Sequence, residues 1–243
     1  MVKTTQPVGH AMAAANLDQV RAFYADLVTS SARVDDDRLR AALATVPREQ
    51  FLPAPPWRIY TQGGYVTTPG DDPVFVYQDN VIAILPDRGL NNGQPTLHAT
   101  CLAALAPQPG ETAVHIGIGM GYYTALLSEL VGPQGRVEAI EIDADLAKQA
   151  ARCLGERKNV AVHCRSGLAP PIPPADVIYV NAGVTAPSLA WLDALKPAGR
   201  LLFALTPGTG GGGMLLVTNT SPGYAARFVS PVWIIPCETK RAA

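Results

Sequence analysis

The sequence predicts an α/β protein: a doubly wound, mainly parallel sheet that ends in an antiparallel hairpin and is preceded by a small helical cap. Three observations carry this expectation. From residue 111 onward, short apolar runs alternate with amphipathic stretches of 10 to 13 residues, the rhythm of βαβ units whose right-handed crossovers build parallel sheets. A glycine-rich turn, Gly117-Ile118-Gly119-Met120-Gly121, joins the first of these runs to the helical stretch after it. The last two runs, MLLVTNT at 214–220 and RFVSPVWII at 227–235, follow each other with no helical pattern between them, as the strands of an edge hairpin do.

Taken in order, residues 16–29 carry a helical pattern, and a second helix opens at the capping run Asp35-Asp36-Asp37 and continues as RLRAALATV. Aspartate is suited to that position because its carboxylate accepts from the unpaired N–H groups of the first turn. Residues 47–95 are rich in Pro, Gly, Asp and aromatic side chains and read as an irregular arm holding one strand-like piece, VIAIL at 81–85. A helix is expected over 96–105, closed by the turn PQPG at 107–110. The alternation then runs ETAVHIGIG (111–119), helix YYTALLSELV (122–131), RVEAIEID (136–143), helix ADLAKQAARCLGE (144–156) and NVAVHC (159–164). ADVIYVN (175–181), a short helix at 187–194 and GRLLFALT (199–206) complete it. The glycine run 210–213 lacks the GK[ST] ending of a phosphate loop and reads as a connector. The chain thus divides into a helical cap and arm, 1–95, and an α/β domain, 96–243, within one compact unit.

A composition of 48% apolar and 16% charged residues suits a folded domain. With a formal net charge of -1 and no Lys/Arg block, the chain has no footprint for a nucleic-acid backbone or an anionic membrane, so neither is an expected partner. No run of 18 apolar residues occurs, and the first 15 residues lack a charged segment followed by an apolar one; a cytoplasmic protein is expected. Cys101, Cys153, Cys164 and Cys237 stand singly, without metal-ligand spacing, and are expected to be buried free thiols, with no metal site. Nothing in the sequence specifies an oligomeric state.

The glycine turn is the strongest chemical signal. Glycines there permit positive φ and close approach of a ligand to the backbone, and the helix N-terminus that follows offers unpaired N–H groups. Glu141 ends the next strand, 24 positions after Gly117. A carboxylate at that tip, beside the topological switch point, can accept from both hydroxyls of a ribose. The alternatives are a turn that binds nothing and a solvated strand-end charge. A dinucleotide fingerprint requires G-x-G-x-x-G, whereas Tyr122 stands where its third glycine would be and the glycines fall as G-x-G-x-G. That spacing favours S-adenosylmethionine over NAD.

The segments LRAALATVPREQFLP (39–53), NNGQPTLHA (91–99), HIGIGMGYYTALLSELVG (115–132), RVEAIEID (136–143), LDALKPAGRLLFAL (192–205) and ARFVSP (226–231) resemble, in the same order, the protein-L-isoaspartate O-methyltransferases. The resemblance implies a seven-stranded methyltransferase sheet, S-adenosylmethionine as cofactor, and the carboxylate of an isoaspartyl residue as methyl acceptor. It further implies that Gly117, Gly119 and Gly121 line the methionine end of the cofactor, that Glu141 holds the ribose, that Ser166 and Gly167 lie near adenine, and that Asn181 ends the fourth strand where cofactor and acceptor meet.

Three positions depart from the family pattern. Gly93 stands where the family carries a Ser or Thr hydroxyl beside the reacting groups; Gly93→Ser is therefore expected to raise isoaspartyl methylation. His115 replaces the first acidic residue of the glycine motif, either as an altered contact to the cofactor's amino end or as a strand histidine satisfied by its neighbours. Ser166 replaces an Asp. Asn92, Gly93 and Gln94, with Asn91, form a polar turn before a helix that is expected to line the acceptor, or to be an ordinary loop and cap. His98 reads as a surface or satisfied core residue, and Tyr77, Asp79 and Asn80 as possible walls of the same pocket.

A sulfonium methyl is already activated, and a carboxylate acceptor needs no general base, so alignment and exclusion of water are the main demands. The expectation is an O-methyltransferase acting on a carboxylate of a peptide or protein. The alternatives are a methyltransferase for another small molecule or a modified peptide, and a non-catalytic cofactor-binding module.

Overall fold

The computed structural model describes residues 16–207 and 211–234. The N-terminal segment read for a leader, Gly210, Ile235 and Cys237 lie outside the described residues.

Helix α1 (Leu17–Ala32) begins at Asn16, whose Oδ1 accepts from Asp18 N at 3.0 Å. It runs three residues beyond the expected end and closes at Arg33, with φ 53. Helix α2 (Asp37–Thr45) is capped by Asp36, which accepts from Arg38 N and Leu39 N at 2.9 and 3.1 Å. Both helices bury one face, including Tyr24, Val28, Leu39 and Leu43, in the main core.

The arm is more regular than the sequence suggests. Strands β1 (Arg58–Thr61) and β2 (Gly64–Thr67) form an antiparallel hairpin, and β3 (Ala83–Leu85) pairs with β4 (Leu90–Asn91). The arm is anchored by Arg48, fully buried, which donates to the carbonyls of Val76, Gln78 and Asn80 at 2.6, 2.7 and 2.8 Å and lies over the Tyr24 ring. A buried guanidinium is tolerated here because carbonyl oxygens and an aromatic face replace its water.

Helix α3 (Pro95–Leu105) leads to the main sheet, whose strands are β5 (Thr112–Ile116), β6 (Arg136–Glu141), β7 (Val160–Cys164), β8 (Ala175–Val184), β9 (Leu195–Leu205), β10 (Gly212–Asn219) and β11 (Tyr224–Val232). Helices α4 (Tyr122–Val131), α5 (Ala144–Cys153) and α6 (Leu189–Ala194) connect them. The order is β11-β10-β9-β8-β5-β6-β7. Pairings among β7, β6, β5, β8 and β9 are parallel, while β10 and β11 are antiparallel. The chain therefore leaves the central strand β5 toward β6 and β7, then returns to its other side through β8 and β9, which creates a switch point beside β5.

The central strands are buried on both faces: Ala113, Val114, Ile140, Val177, Ile178 and Val180 are all 0% exposed. Residues of the arm and cap, such as Phe51, Trp57 and Ile82, share one core cluster with Leu126, Tyr179 and Leu202 of the sheet layer. Cys101 is buried, with its thiol pushed up to about 12, and Cys153 is half-buried. Cys164, expected to be buried, is exposed, because it is the last residue of the edge strand β7.

Candidate functional site

Strand β5 ends at Ile116, and the chain turns through Gly117, Gly119 and Gly121, with φ of 73, 55 and 96, into α4. Side chains rarely adopt such φ values, which is why the turn is built of glycine. Gly121 is needed for space as well, since a Cβ there would stand 2.8 Å from Leu154 Cδ1. Gly121 N donates to Ile118 O at 2.9 Å, closing the turn.

Glu141 closes β6 beside this turn and is 6% exposed. Its Oε2 accepts from Gly119 N at 2.8 Å, and its Oε1 accepts from Ile142 N and Asp143 N at 2.9 and 3.1 Å. Desolvation raises the carboxyl above its usual range, and the three backbone donors pull against that shift. Asp143 caps α5 through Leu146 N, which holds its carboxyl down, and forms an ion pair with Arg88.

These groups line a cavity of about 120 Å³ that also includes Leu90, Gly167 and Ala182. A larger cleft of about 640 Å³ adjoins it, bounded by Asn92, Gly93, Gln94, His98 and the β11 segment Ser230 to Val232. The two share Ile84, Asn91, Gly117, Gly119 and Asn181. Of the expected residues, Gly117, Gly119, Gly121, Glu141, Gly167, Asn181, Asn92, Gly93 and Gln94 border these two adjoining cavities, whereas His115 and Ser166 border neither.

Individual positions differ from one another in what they offer the cleft. His115 is 0% exposed: Nδ1 meets Thr124 Oγ1 at 2.8 Å, Nε2 meets Asn181 Nδ2 at 2.8 Å, and the ring stacks on Tyr179. Burial lowers its pKa to about 3, so the ring is neutral. Both nitrogens are engaged and the ring lines neither cavity, so position 115 reaches the cleft only through Asn181, whose Oδ1 is buried without a partner. Gly167 packs against Ile116, where a Cβ would stand 2.2 Å from Cγ2; Ser166 lies outside the lining and accepts from Leu168 N at 3.3 Å.

At the acceptor end, Asn92 is 8% exposed; its Oδ1 accepts from Ile82 N at 2.7 Å, while Nδ2 has no partner. Asn91 Oδ1 accepts from Gly93 N at 2.9 Å, forming the tight turn. Gln94 borders the cleft but its side chain turns outward to Asp79, at 2.9 Å. Gly93 has φ +71, and a Cβ there would stand 2.1 Å from His98 Nε2. The hydroxyl expected to be restorable at 93 therefore has no room while His98 holds its place.

His98, expected as a surface or satisfied core residue, is a core residue: it is 6% exposed, its Nδ1 meets Tyr179 Oη at 2.7 Å, and it borders the cleft in the space that position 93 leaves open. Asp79 caps α3 through Thr96 N at 2.7 Å, Asn80 is bound through its carbonyl to Arg48, and Tyr77 packs in a network with Arg21 and Glu49; none of the three lines the cleft. Long-range capping of this kind leaves no local trace in a sequence. No group of three His, Cys, Asp or Glu side chains able to hold a metal occurs among the described residues.

Comparisons with known proteins agree with this geometry. A family profile described as protein-L-isoaspartate(D-aspartate) O-methyltransferase matches residues 25–218. The chain is 30% identical over 207 residues to the protein-L-isoaspartate O-methyltransferase of Gloeobacter violaceus, covering 84% of this chain and 91% of the relative. It is 33% identical over 180 residues to that of Aeropyrum pernix, covering 72% of this chain and 62% of the relative. Among solved structures, one named protein-L-isoaspartate O-methyltransferase superposes with a TM-score of 0.75 at 24% identity, over 90% of this chain and 66% of that chain. A Plasmodium falciparum protein assigned the same activity, solved with S-adenosyl-L-homocysteine, superposes with a TM-score of 0.72 at 17% identity, over 90% of this chain and 98% of its own. These two likenesses establish a shared fold.

Proposed function

Because the chain belongs to the protein-L-isoaspartate(D-aspartate) O-methyltransferase family, we propose that it methylates the free carboxylate of an isoaspartyl residue in a peptide or protein, using S-adenosylmethionine. The observation that carries this reading is the pair of cavities that meet at Gly117, Gly119 and Asn181, one holding the Glu141 carboxylate and the other bordered by Asn92, Gly93 and Gln94. That juxtaposition supports one ligand with a ribose beside one with an anionic acceptor group.

S-adenosylmethionine, when bound, supplies an activated sulfonium methyl. The Glu141 carboxylate would accept from ribose hydroxyls, and the lining at Gly167 and Ile142 would take the adenine, with Ser166 outside that lining. The turn Gly117 to Gly121 lets the methionine end lie against backbone. Asn181 presents its unpartnered Oδ1 to a cationic amino group, as His115 holds the amide in orientation. On the acceptor side, Asn92 offers Nδ2–H and Gly93 allows close approach. The chain's task is to align two groups and exclude water; no base is required for a carboxylate nucleophile.

No helix among the described residues is long and apolar enough to cross a membrane. The unpaired cysteines Cys101, Cys153 and Cys164 support a reducing, cytoplasmic setting. The test is to incubate the protein with S-adenosylmethionine and an isoaspartyl peptide and to locate the added methyl by mass spectrometry. A base-labile ester on the isoaspartyl residue is expected; cofactor binding with no ester would overturn the reading.

A further inference from the structure

We propose that His98 is the acceptor-positioning side chain of this cleft: its Nε2–H donates to the carboxylate that receives the methyl group, from the space that a side chain at position 93 would otherwise fill. The inference rests on the isoaspartyl reading and adds to it the group that orients the acceptor.

Geometry carries the proposal. An ideal Cβ on Gly93 would lie 2.1 Å from His98 Nε2 and 2.9 Å from Cδ2, so a glycine at 93 and this imidazole position require each other. The ring is held by two tyrosines. It stacks on Tyr123 at 3.5 Å with an interplanar angle of 9°, its Nδ1 meets Tyr179 Oη at 2.7 Å, and the Tyr179 ring meets it edge-on at 5.9 Å. His98 borders the cleft, Nε2 is its ring atom nearest to the space beside Gly93, and Nε2 has no hydrogen-bond partner among the described residues.

The proton inventory follows from burial. Desolvation lowers the His98 pKa well below its ordinary value and raises that of Tyr179 well above, so a neutral imidazole faces a protonated phenol. Tyr179 Oη also shares a hydrogen bond with Cys101, so its contact with Nδ1 is compatible with either ring tautomer; in the proposed arrangement the Tyr179 O–H donates to Nδ1 and the single ring proton resides on Nε2, toward the cleft. A second unpartnered donor, Nδ2 of the 8% exposed Asn92, borders the same cleft. Two donors with no acceptor of their own match the two oxygens of a carboxylate; a cationic or apolar acceptor would leave both unpaired in a buried setting.

The test uses the full chain labelled with ¹⁵N-histidine, saturated with S-adenosylhomocysteine and titrated with an isoaspartyl peptide; a peptide with Ala at that residue serves as control. The Nε2–H tautomer of His98 is expected, with its Nε2 resonance displaced by the isoaspartyl peptide alone. In parallel, His98→Leu should lower kcat/KM for the peptide by roughly tenfold to a hundredfold, the usual effect of losing a hydrogen bond to a charged group. His98→Gln, which keeps a donor, should recover most of that loss, and neither variant should change the affinity for S-adenosylhomocysteine. An Nε2 resonance that ignores the isoaspartyl peptide would overturn the proposal whatever the esterification result. A displaced resonance without ester formation would support the contact and overturn the methylation reading instead. Ester formation that His98→Leu leaves unchanged would overturn the His98 assignment alone.

Discussion

Asn181 Nδ2 donates to Nε2 of the fully buried His115 at 2.8 Å, and the bond leaves Asn181 Oδ1 buried with no partner. Thr124 Oγ1, 2.8 Å from His115 Nδ1, engages the other ring nitrogen, so the amide cannot turn without breaking a buried contact. A buried acceptor without a donor costs free energy, and a ligand ammonium at the junction of the two cavities would remove that cost.

The first prediction follows. Asn181→Ala should weaken S-adenosylhomocysteine binding by roughly 1–3 kcal/mol, the range for a charge-assisted hydrogen bond. Calorimetry checks it, and an unchanged Kd would place the amino end elsewhere.

Burial also makes His115 a determinant of acid stability. Its pKa is about 3 in the fold, against about 6.5 in an unfolded chain. His98 is lowered in the same direction. The unfolded chain therefore takes up protons first, so the contribution of each neutral histidine is complete above about pH 6.5 and shrinks as pH falls, by about 1.4 kcal/mol per pH unit; for His115 it is gone near pH 3. Urea denaturation between about pH 7.5 and about pH 5 should show His115→Gln losing stability less steeply than the wild type. Parallel slopes would show that the histidine titrates freely.

Glu141 serves its own loop and, in the proposed reading, the ribose of the ligand. Glu141→Ala removes the acceptor for Gly119 N, Ile142 N and Asp143 N together with the ribose contact, and should weaken cofactor binding by roughly 1–3 kcal/mol. NAD should not bind to either form. Equal affinity for NAD, measured by the same calorimetry, would contradict the reading of the G-x-G-x-G turn.

Restoring a side chain at position 93 should do harm. Gly93→Ser meets a φ of +71 and the His98 imidazole, costs of about 1–2 kcal/mol for the backbone and about 1–3 kcal/mol for overpacking. Lower thermal stability and a displaced His98 resonance are expected. A variant as stable as the wild type and more active would show that the imidazole yields the space at no cost.

Much of the fold was legible because burial imposes periodicity. The unbroken apolar strands around Val114 and Val177 and the glycines of the β5–α4 turn reveal a parallel sheet and its ligand edge without tertiary knowledge. The hairpin Arg58–Thr61 with Gly64–Thr67 was not legible, since its mostly exposed residues show no alternation against a core. At the site, glycine spacing and Glu141 could be read because they serve the backbone of consecutive elements. The place of Asn181 could be read from the family resemblance, but the hydrogen bonds that hold Asn181 and His98 could not, since each depends on a partner far along the chain: His115 for Asn181, Tyr179 for His98.

The most direct measurement compares initial rates of methyl-ester formation on two peptides of one sequence, one with an isoaspartyl linkage and one with the ordinary aspartyl linkage, at saturating S-adenosylmethionine. The account predicts base-labile ester on the isoaspartyl peptide, none above background on its isomer, and a lower rate for Glu141→Ala at limiting cofactor. Tight cofactor binding with no ester on the isoaspartyl peptide, or equal rates on both peptides, would contradict it.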